Sequence, residues 1–303
     1  MWSGDHVKFD VILTNPPFQD SVGRGKTPHK LWIDFTLMVF EHLLQQGGTI
    51  CQVSPASFRS PSNKILSLMK MNQTEYINLD TDKYFPGVGS TFSDYAIRKA
   101  SNDGFATKII SNKESDEIVL DSSVFYLPND FCATSLSIHK KVIFTTNVKL
   151  DVRWDYVTCH NIRLHRDKSV SKERTATNKF PIFHTNRQQW WSSSRQSWAD
   201  QQKVMWTRSG YTRPFFDNGV LGGTDMVYYI PVASADEGSA LAKNLNLSLF
   251  RYIFESARWS GFGNERVFAS LPDIPTTELS DSELFNLFSL NQTEIDYVNA
   301  SLE

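Results

Sequence analysis

Residues 9–20 read FDVILTNPPFQD. An apolar, β-branched run, Val11-Ile12-Leu13, leads directly into Asn15-Pro16-Pro17-Phe18. The run alternates too little for a strand with one wet face, so it predicts a strand buried in a parallel sheet. The two prolines stop the strand and stiffen the turn, because proline fixes φ and has no N–H to give to a ladder. Open α/β sheets bind their ligands in the crevice outside the carboxyl ends of the strands. At such an end this tetrapeptide presents the Asn15 amide oxygen and the Pro16 carbonyl oxygen as two acceptors, with Phe18 as a flat face. That set suits a planar amine.

Outward from this stretch the pattern is α/β. Apolar residues recur at helical spacing from about 29 to 46 (Leu31, Phe35, Met38, Val39, Leu43), and Gly47-Gly48 supplies a stop. TICQVSP (49–55) is a second apolar strand. Ser60-Pro61 reads as an N-cap with proline at the first helical position, opening SNKILSLMKM. EYINL and TFSDYAIRKA are strand-like. Strands and helices joined by short links predict a mostly parallel sheet. Past about residue 115 the rhythm changes to short strands between polar loops, as in KVMWT and MVYYIPV. Helical pattern returns in ALAKNLNLSLFRYIFESAR, and the tail reads as two short helices, the second capped by Asn291 with Glu294.

Composition sets the bounds. The chain has 303 residues, 40% of them hydrophobic, enough for a sizeable core. Cys51, Cys132 and Cys159 form no CxxC pair, so the sequence suggests neither a disulfide framework nor a metal site and fits a reducing cytoplasm. The most apolar segment, LWIDFTLMVFEHLL, carries Asp34, Glu41 and His42 and reads as a core helix; no signal peptide or membrane association is expected. Net charge is −2, but residues 140–215 hold 15 Lys/Arg against 5 Asp/Glu, interleaved with Trp154, Trp190, Trp191, Trp198 and Trp206. Basic and aromatic together is the footprint of a nucleic-acid surface. Trp190-Trp191 is read as core in preference to a stacking platform.

Methylation of an exocyclic amine needs what the tetrapeptide offers. The nitrogen lone pair is delocalised into the ring. Two fixed acceptors localise it and stabilise the positive charge that grows on nitrogen. Neither a metal nor a general base is required.

FDVILTNPPF resembles the (D/N/S)PP(Y/F) strand and loop of the S-adenosylmethionine-dependent methyltransferases that modify amino groups. KLWIDF, GGTICQVSPASFRSPSNK, FPGVGSTFSDYAI, SGYTRPFFDNGVLGGTDMVYYIPV and RWSGFGNERVFASLPDIP extend the likeness to the adenine-N6 DNA methyltransferases of restriction–modification type, over about residues 8–275. The resemblance implies a partial Rossmann-like α/β sheet over 1–118, a mixed α+β target-recognition domain over 119–275, and a helical tail over 276–303. It implies S-adenosylmethionine as cofactor, double-stranded DNA as partner, and Asn15, Pro16, Pro17 and Phe18 as contacts to an extruded adenine. Phe92 is the candidate second wall of the base pocket, with Tyr95 the alternate; strand alternation lets only one of them point into it. Arg163, Arg166, Arg208, Arg213 and Arg258 are candidate DNA contacts.

The chain departs from the family at the cofactor. The family's glycine-rich loop follows a strand upstream of the tetrapeptide, and no such loop is read before Asn15. Tyr84–Gly89, YFPGVG, has the letters, but a polar stretch precedes it and a strand follows. The expectation is therefore a fragment or split subunit, whose cofactor-binding half comes from another polypeptide, and which alone binds the cofactor poorly. An endonuclease partner is also compatible with the resemblance. Two alternatives stand beside it: a DNA-binding remnant without turnover, and a methyltransferase acting on RNA adenine or on a protein glutamine amide.

Overall fold

The structure, a computed structural model, describes residues 7–18, 30–87, 91–111, 114–155, 169–185, 189–210, 212–259 and 262–303. The chain divides into two compact units, Met1–Ser137 and Ile138–Glu303.

The first unit is built on six strands: β1 (Phe9–Thr14), β2 (Leu44–Pro55), β3 (Asn72–Asn78), β4 (Phe92–Ser101), β5 (Ala106–Ser111) and β6 (Glu114–Val119). Their order is β1-β2-β4-β3-β5-β6. The β1–β2 and β3–β5 pairs are parallel, while β4 runs antiparallel to both β2 and β3, and β6 antiparallel to β5. The sheet is thus mixed, not mostly parallel as the sequence rhythm predicts. The reason is β4, which enters between β2 and β3 in the opposite sense.

Helices α1 (Leu31–Met38) and α2 (Lys64–Met71) cover one face. Thr36 of α1 donates to the Gln52 amide oxygen at 2.9 Å, which sets α1 over the face carrying Ile50, Gln52 and Ser54, all buried. Three local expectations change. The α1 helix ends in a wide π turn at Val39–Leu43, and Gly47 and Gly48 lie inside β2. There Gly48 permits close strand approach: a Cβ on it would sit 2.8 Å from the Asp10 carbonyl oxygen. The α2 cap is Asn63, whose side chain accepts from the Ile65 N–H at 2.9 Å, while Ser60 is held extended ahead of Pro61. The third concerns β1 itself. It is an edge strand, and Phe9, Val11 and Leu13 are 47%, 64% and 85% exposed, not buried. The composition is that of a strand covered on both faces, but among the described residues β1 pairs only with β2.

Residues 119–137 belong with this unit. Leu120, Val124, Tyr126, Leu127 and Phe131 are fully buried, and the Leu127 N–H donates to the Arg59 carbonyl at 2.9 Å. Helix α3 (Ala133–His139) runs across the division.

The second unit is α+β. Strands β7 (Val170–Ser171), β8 (Phe180–Phe183), β9 (Gln189–Ser192) and β12 (Gly222–Gly223) form one sheet; β10 (Gln202–Thr207), β11 (Phe215–Asn218) and β13 (Val227–Pro231) form another. The short hairpin β14 (Arg258–Trp259) and β15 (Phe262–Gly263) follows. Trp198 stacks on Tyr229, ring centroids 4.3 Å apart, in a core with Phe183, Met205 and Val227. Trp190 packs on Ile182 in a second cluster, as a core residue.

The helical run over 240–258 is two helices, α4 (Ala235–Asn244) and α5 (Ser248–Ser256). Buried Asn244 separates them by giving its amide to the Pro275 and Thr277 carbonyls at 3.0 and 2.8 Å. After α6 (Glu265–Phe268), the tail forms α7 (Asp281–Leu287) and α8 (Gln292–Ala300), each with a capping box, Ser280/Glu283 and Asn291/Glu294. The tail packs on α5 through edge-on pairs, Phe250–Phe288 and Tyr252–Tyr297.

His139 lies fully buried in this core, its Nε2 2.9 Å from the Ser256 hydroxyl. Burial pushes its pKa down to about 3. The unfolded imidazole titrates near ~6.5, so the unfolded chain binds the proton first and stability falls as pH drops from the unfolded value toward the folded one. The expected loss from His139 is about 2 kcal/mol between about pH 7 and pH 5. Urea unfolding at both values measures it, and His139→Gln should flatten that step; an unchanged step would remove His139 as its source.

Candidate functional site

The β1 register, Ile12 beside Ile50 through Thr14 beside Gln52, carries the chain to the sheet edge where β2 ends. There Asn15 and Pro17 are exposed, Pro16 is buried and Phe18 is half-buried. Pro55, the last residue of β2, lies opposite Phe92, the first of β4. One end of the sheet thus gathers residues from three strands.

The rings meet there. Phe18 and Phe92 have centroids 5.3 Å apart, tilted by 40°. Phe85 stacks on Phe92 at 4.5 Å and 28°. Such spacing is that of interacting aromatic rings. Polar contacts fix the start of β4. The Phe92 N–H donates to the Asp82 carboxylate; Thr81 and Asn78 donate to Asp94 at 2.6 and 3.0 Å. Arg59, 4% exposed, donates to the Ser93 hydroxyl and, at 3.3 Å, to the Asn129 carbonyl. Burial lowers its pKa to about 10, against the opposing pull of Asp82 and Asp130. Arg59 stands within GGTICQVSPASFRSPSNK, but nothing in its spacing marks an arginine bound for the interior. It is the positioning residue that sequence reasoning does not find.

Tyr95 is placed differently. It is fully buried on the helix-covered face, accepts from the Gln52 amide at 3.0 Å and meets Phe58 edge-on at 5.1 Å. Burial raises its pKa well above the usual phenol range. Here it is a core aromatic. The stretch from Tyr84 to Gly87 connects the turn Thr81–Tyr84 to β4, and so does not follow a strand or open a helix; Gly89 is outside the described residues.

In the second unit Arg208, Arg213 and Arg258 gather at one cavity, joined by Arg251 from α5. The Arg258 Nη2 donates to the Ser209 carbonyl at 2.7 Å, and Arg208 pairs with Glu265 at 3.3 Å. Arg251 lies far along the sequence from Arg208 and Arg213, and only the fold of α5 beside the β10 turn brings them together. Arg163 and Arg166, with Cys159 and the basic run around them, lie outside the described residues.

No protein-family model matches the chain, and no curated protein does. Solved structures do, and those named here are of restriction–modification proteins. The type IIL restriction-modification enzyme MmeI in complex with DNA is 13% identical, covering 86% of this chain and 45% of its own, with a TM-score of 0.41. The type IIG restriction endonuclease BpuSI is 11% identical, covering 97% and 49%, TM-score 0.34. The ATP-dependent type ISP restriction-modification enzyme LlaBIII bound to DNA is 9% identical, covering 92% and 29%, TM-score 0.40. The chain spans less than half the length of each. Likenesses of this size assign no family.

Proposed function

We propose that this chain is the base-pocket and DNA-recognition part of an S-adenosylmethionine-dependent adenine-N6 DNA methyltransferase of restriction–modification type. The observation that carries the reading is the strand-end cluster: exposed Asn15 on a proline-stiffened tip, with the Phe18 ring 5.3 Å from Phe92.

The chemistry follows from those groups. The N6 of adenine is out of reach inside a duplex, so the base must be swung out. Phe18 gives its plane a face to stack on. The Asn15 amide oxygen and Pro16 carbonyl then accept the two amine hydrogens. The lone pair localises on nitrogen, and the charge that develops there meets preorganised dipoles. S-adenosylmethionine, when bound, would supply the methyl group and keep the sulfur as a neutral thioether, one amine proton passing to solvent; the described residues supply no glycine-rich strand-to-helix loop for it. We assign that role to residues outside the described ones. Support comes from β1: an edge strand with Val11 and Leu13 64% and 85% exposed is a template for a further strand and a cover.

The same exposed edge favours a second reading, a DNA-binding remnant without turnover. One assay separates the two. The chain is assayed alone and together with whatever is encoded directly upstream of it, fused or separate, and transfer of labelled methyl groups to unmethylated duplex DNA is measured. Transfer in that context and not by the chain alone supports the proposal. Duplex binding with no transfer in any combination leaves the remnant.

A further inference from the structure

The arginine cavity of the second unit is lined chiefly by hydrogen-bond donors, with the Glu255 carboxylate beside them. Trp206 is the penultimate residue of β10, Arg208 and Thr212 stand on the turn after it, Arg251 and Phe254 come from α5, and Arg258 opens β14. Trp206 Nε1, Arg208 Nε, Thr212 Oγ1 and Arg251 Nε are buried and have no hydrogen-bond partner among the described residues. Three of these four can only donate. Buried donors are normally satisfied, so several on the residues that line one cavity call for an acceptor brought from outside.

Charge narrows the choice. Arg208, Arg213, Arg251 and Arg258 face two carboxylates: Glu255, which also lines the cavity, and Glu265, which pairs with Arg208. Among the described residues the arginines at the cavity outnumber these carboxylates. A guanidinium fork matches an oxyanion with several acceptor oxygens. The cavity encloses about 50 Å³, the scale of a single small group. Arg213 stands exposed at it, and the Arg208 side chain is 33% exposed, so an anion can enter. Gly210 is part of the construction. Its φ is +73°, and a Cβ there would lie 2.9 Å from the Arg258 guanidinium carbon. Only glycine lets that guanidinium lie against the turn.

We propose that this cavity binds a phosphate group. The phosphate is either a phosphodiester of the DNA backbone, which deepens and rests on the DNA reading above, or a free phosphate, which does not. The test uses the full chain in two arms. Inorganic phosphate is titrated by calorimetry, with the chain's tryptophan fluorescence, to which Trp206 at the cavity contributes, as a second signal. Labelled duplex DNA is titrated by anisotropy over a series of salt concentrations. Arg251→Gln is expected to weaken duplex binding on the order of tenfold and to lower the slope of log affinity against log salt by about one. Arg251→Lys, which keeps the charge and loses the fork, should fall between, and Arg98→Gln, exposed in β4 at the end away from Phe92 and donating to the Gly47 carbonyl at 3.2 Å, should match wild type. Circular dichroism establishes that each variant is folded.

Loss in both arms identifies a backbone-phosphate site. Loss for phosphate alone, with duplex affinity unchanged, identifies a free-phosphate site. A wild-type chain that binds phosphate but no duplex sinks the DNA reading and leaves this one standing. Arg251 variants equal to wild type in both arms overturn the proposal.

Discussion

Asn15→Ala, in the preparation that transfers methyl groups, is expected to slow that transfer about 10²–10³-fold, the effect of removing one preorganised acceptor or donor from a charge-developing site. Asn15 is exposed at the tip of β1, so its side chain supports no core and folding should be untouched. Duplex affinity should change little, because most of it comes from phosphate contacts. The loss should fall on the chemical step and not on binding, as for a group that acts on the transition state. Asn15→Asp keeps an acceptor at the same place and should lose less. Phe18→Ala should also weaken capture of the extruded base, by the ~1–3 kcal/mol that an aromatic stack contributes per base. If Asn15→Ala kept activity within a few-fold of wild type, the amine grip would be the wrong account of this tip.

The second large effect is on stability. Asp217→Ala is expected to destabilise the second unit by about 3–5 kcal/mol, because it strands a buried cation. The Lys203 side chain is fully buried and its ammonium lies 2.6 Å from the Asp217 carboxylate. It also donates to the Ala199 and Gln201 carbonyls, at 2.9 and 3.0 Å. Asp217 in turn accepts from the Val220 and Leu221 N–H groups at 3.1 and 3.2 Å. Asn at 217 can keep accepting from that backbone, so Lys203→Met with Asp217→Asn should recover most of the loss. The midpoint of urea unfolding measures both. A single variant as stable as wild type would mean that water reaches the pair.

How much of this was legible in the sequence varies residue by residue. The strand and its tip were: apolar β-branched residues followed by two prolines leave little choice. That β1 is an edge was not, because composition reports the cover a strand is made for, and Val11 and Leu13 have the letters of covered residues. The sense of β4 was hidden too, since alternation is the same in either direction. Phe92 and Tyr95 could be told apart only as opposite faces; the Gln52 contact decides which face holds the core. The basic surplus in 140–215 reads as one surface in the sequence, yet Lys203 lies inside with Asp217, and Arg153 and Arg195 pair with Asp151 and Asp200. A count of charges carries no information on which are answered at home.

The uncovered edge of β1 has a consequence for abundance. Among the described residues nothing pairs with its outer side, so it is an open template for strand pairing with any other chain. Whatever covers that edge then protects the chain from aggregation, and the supply of that cover sets how much of the chain persists.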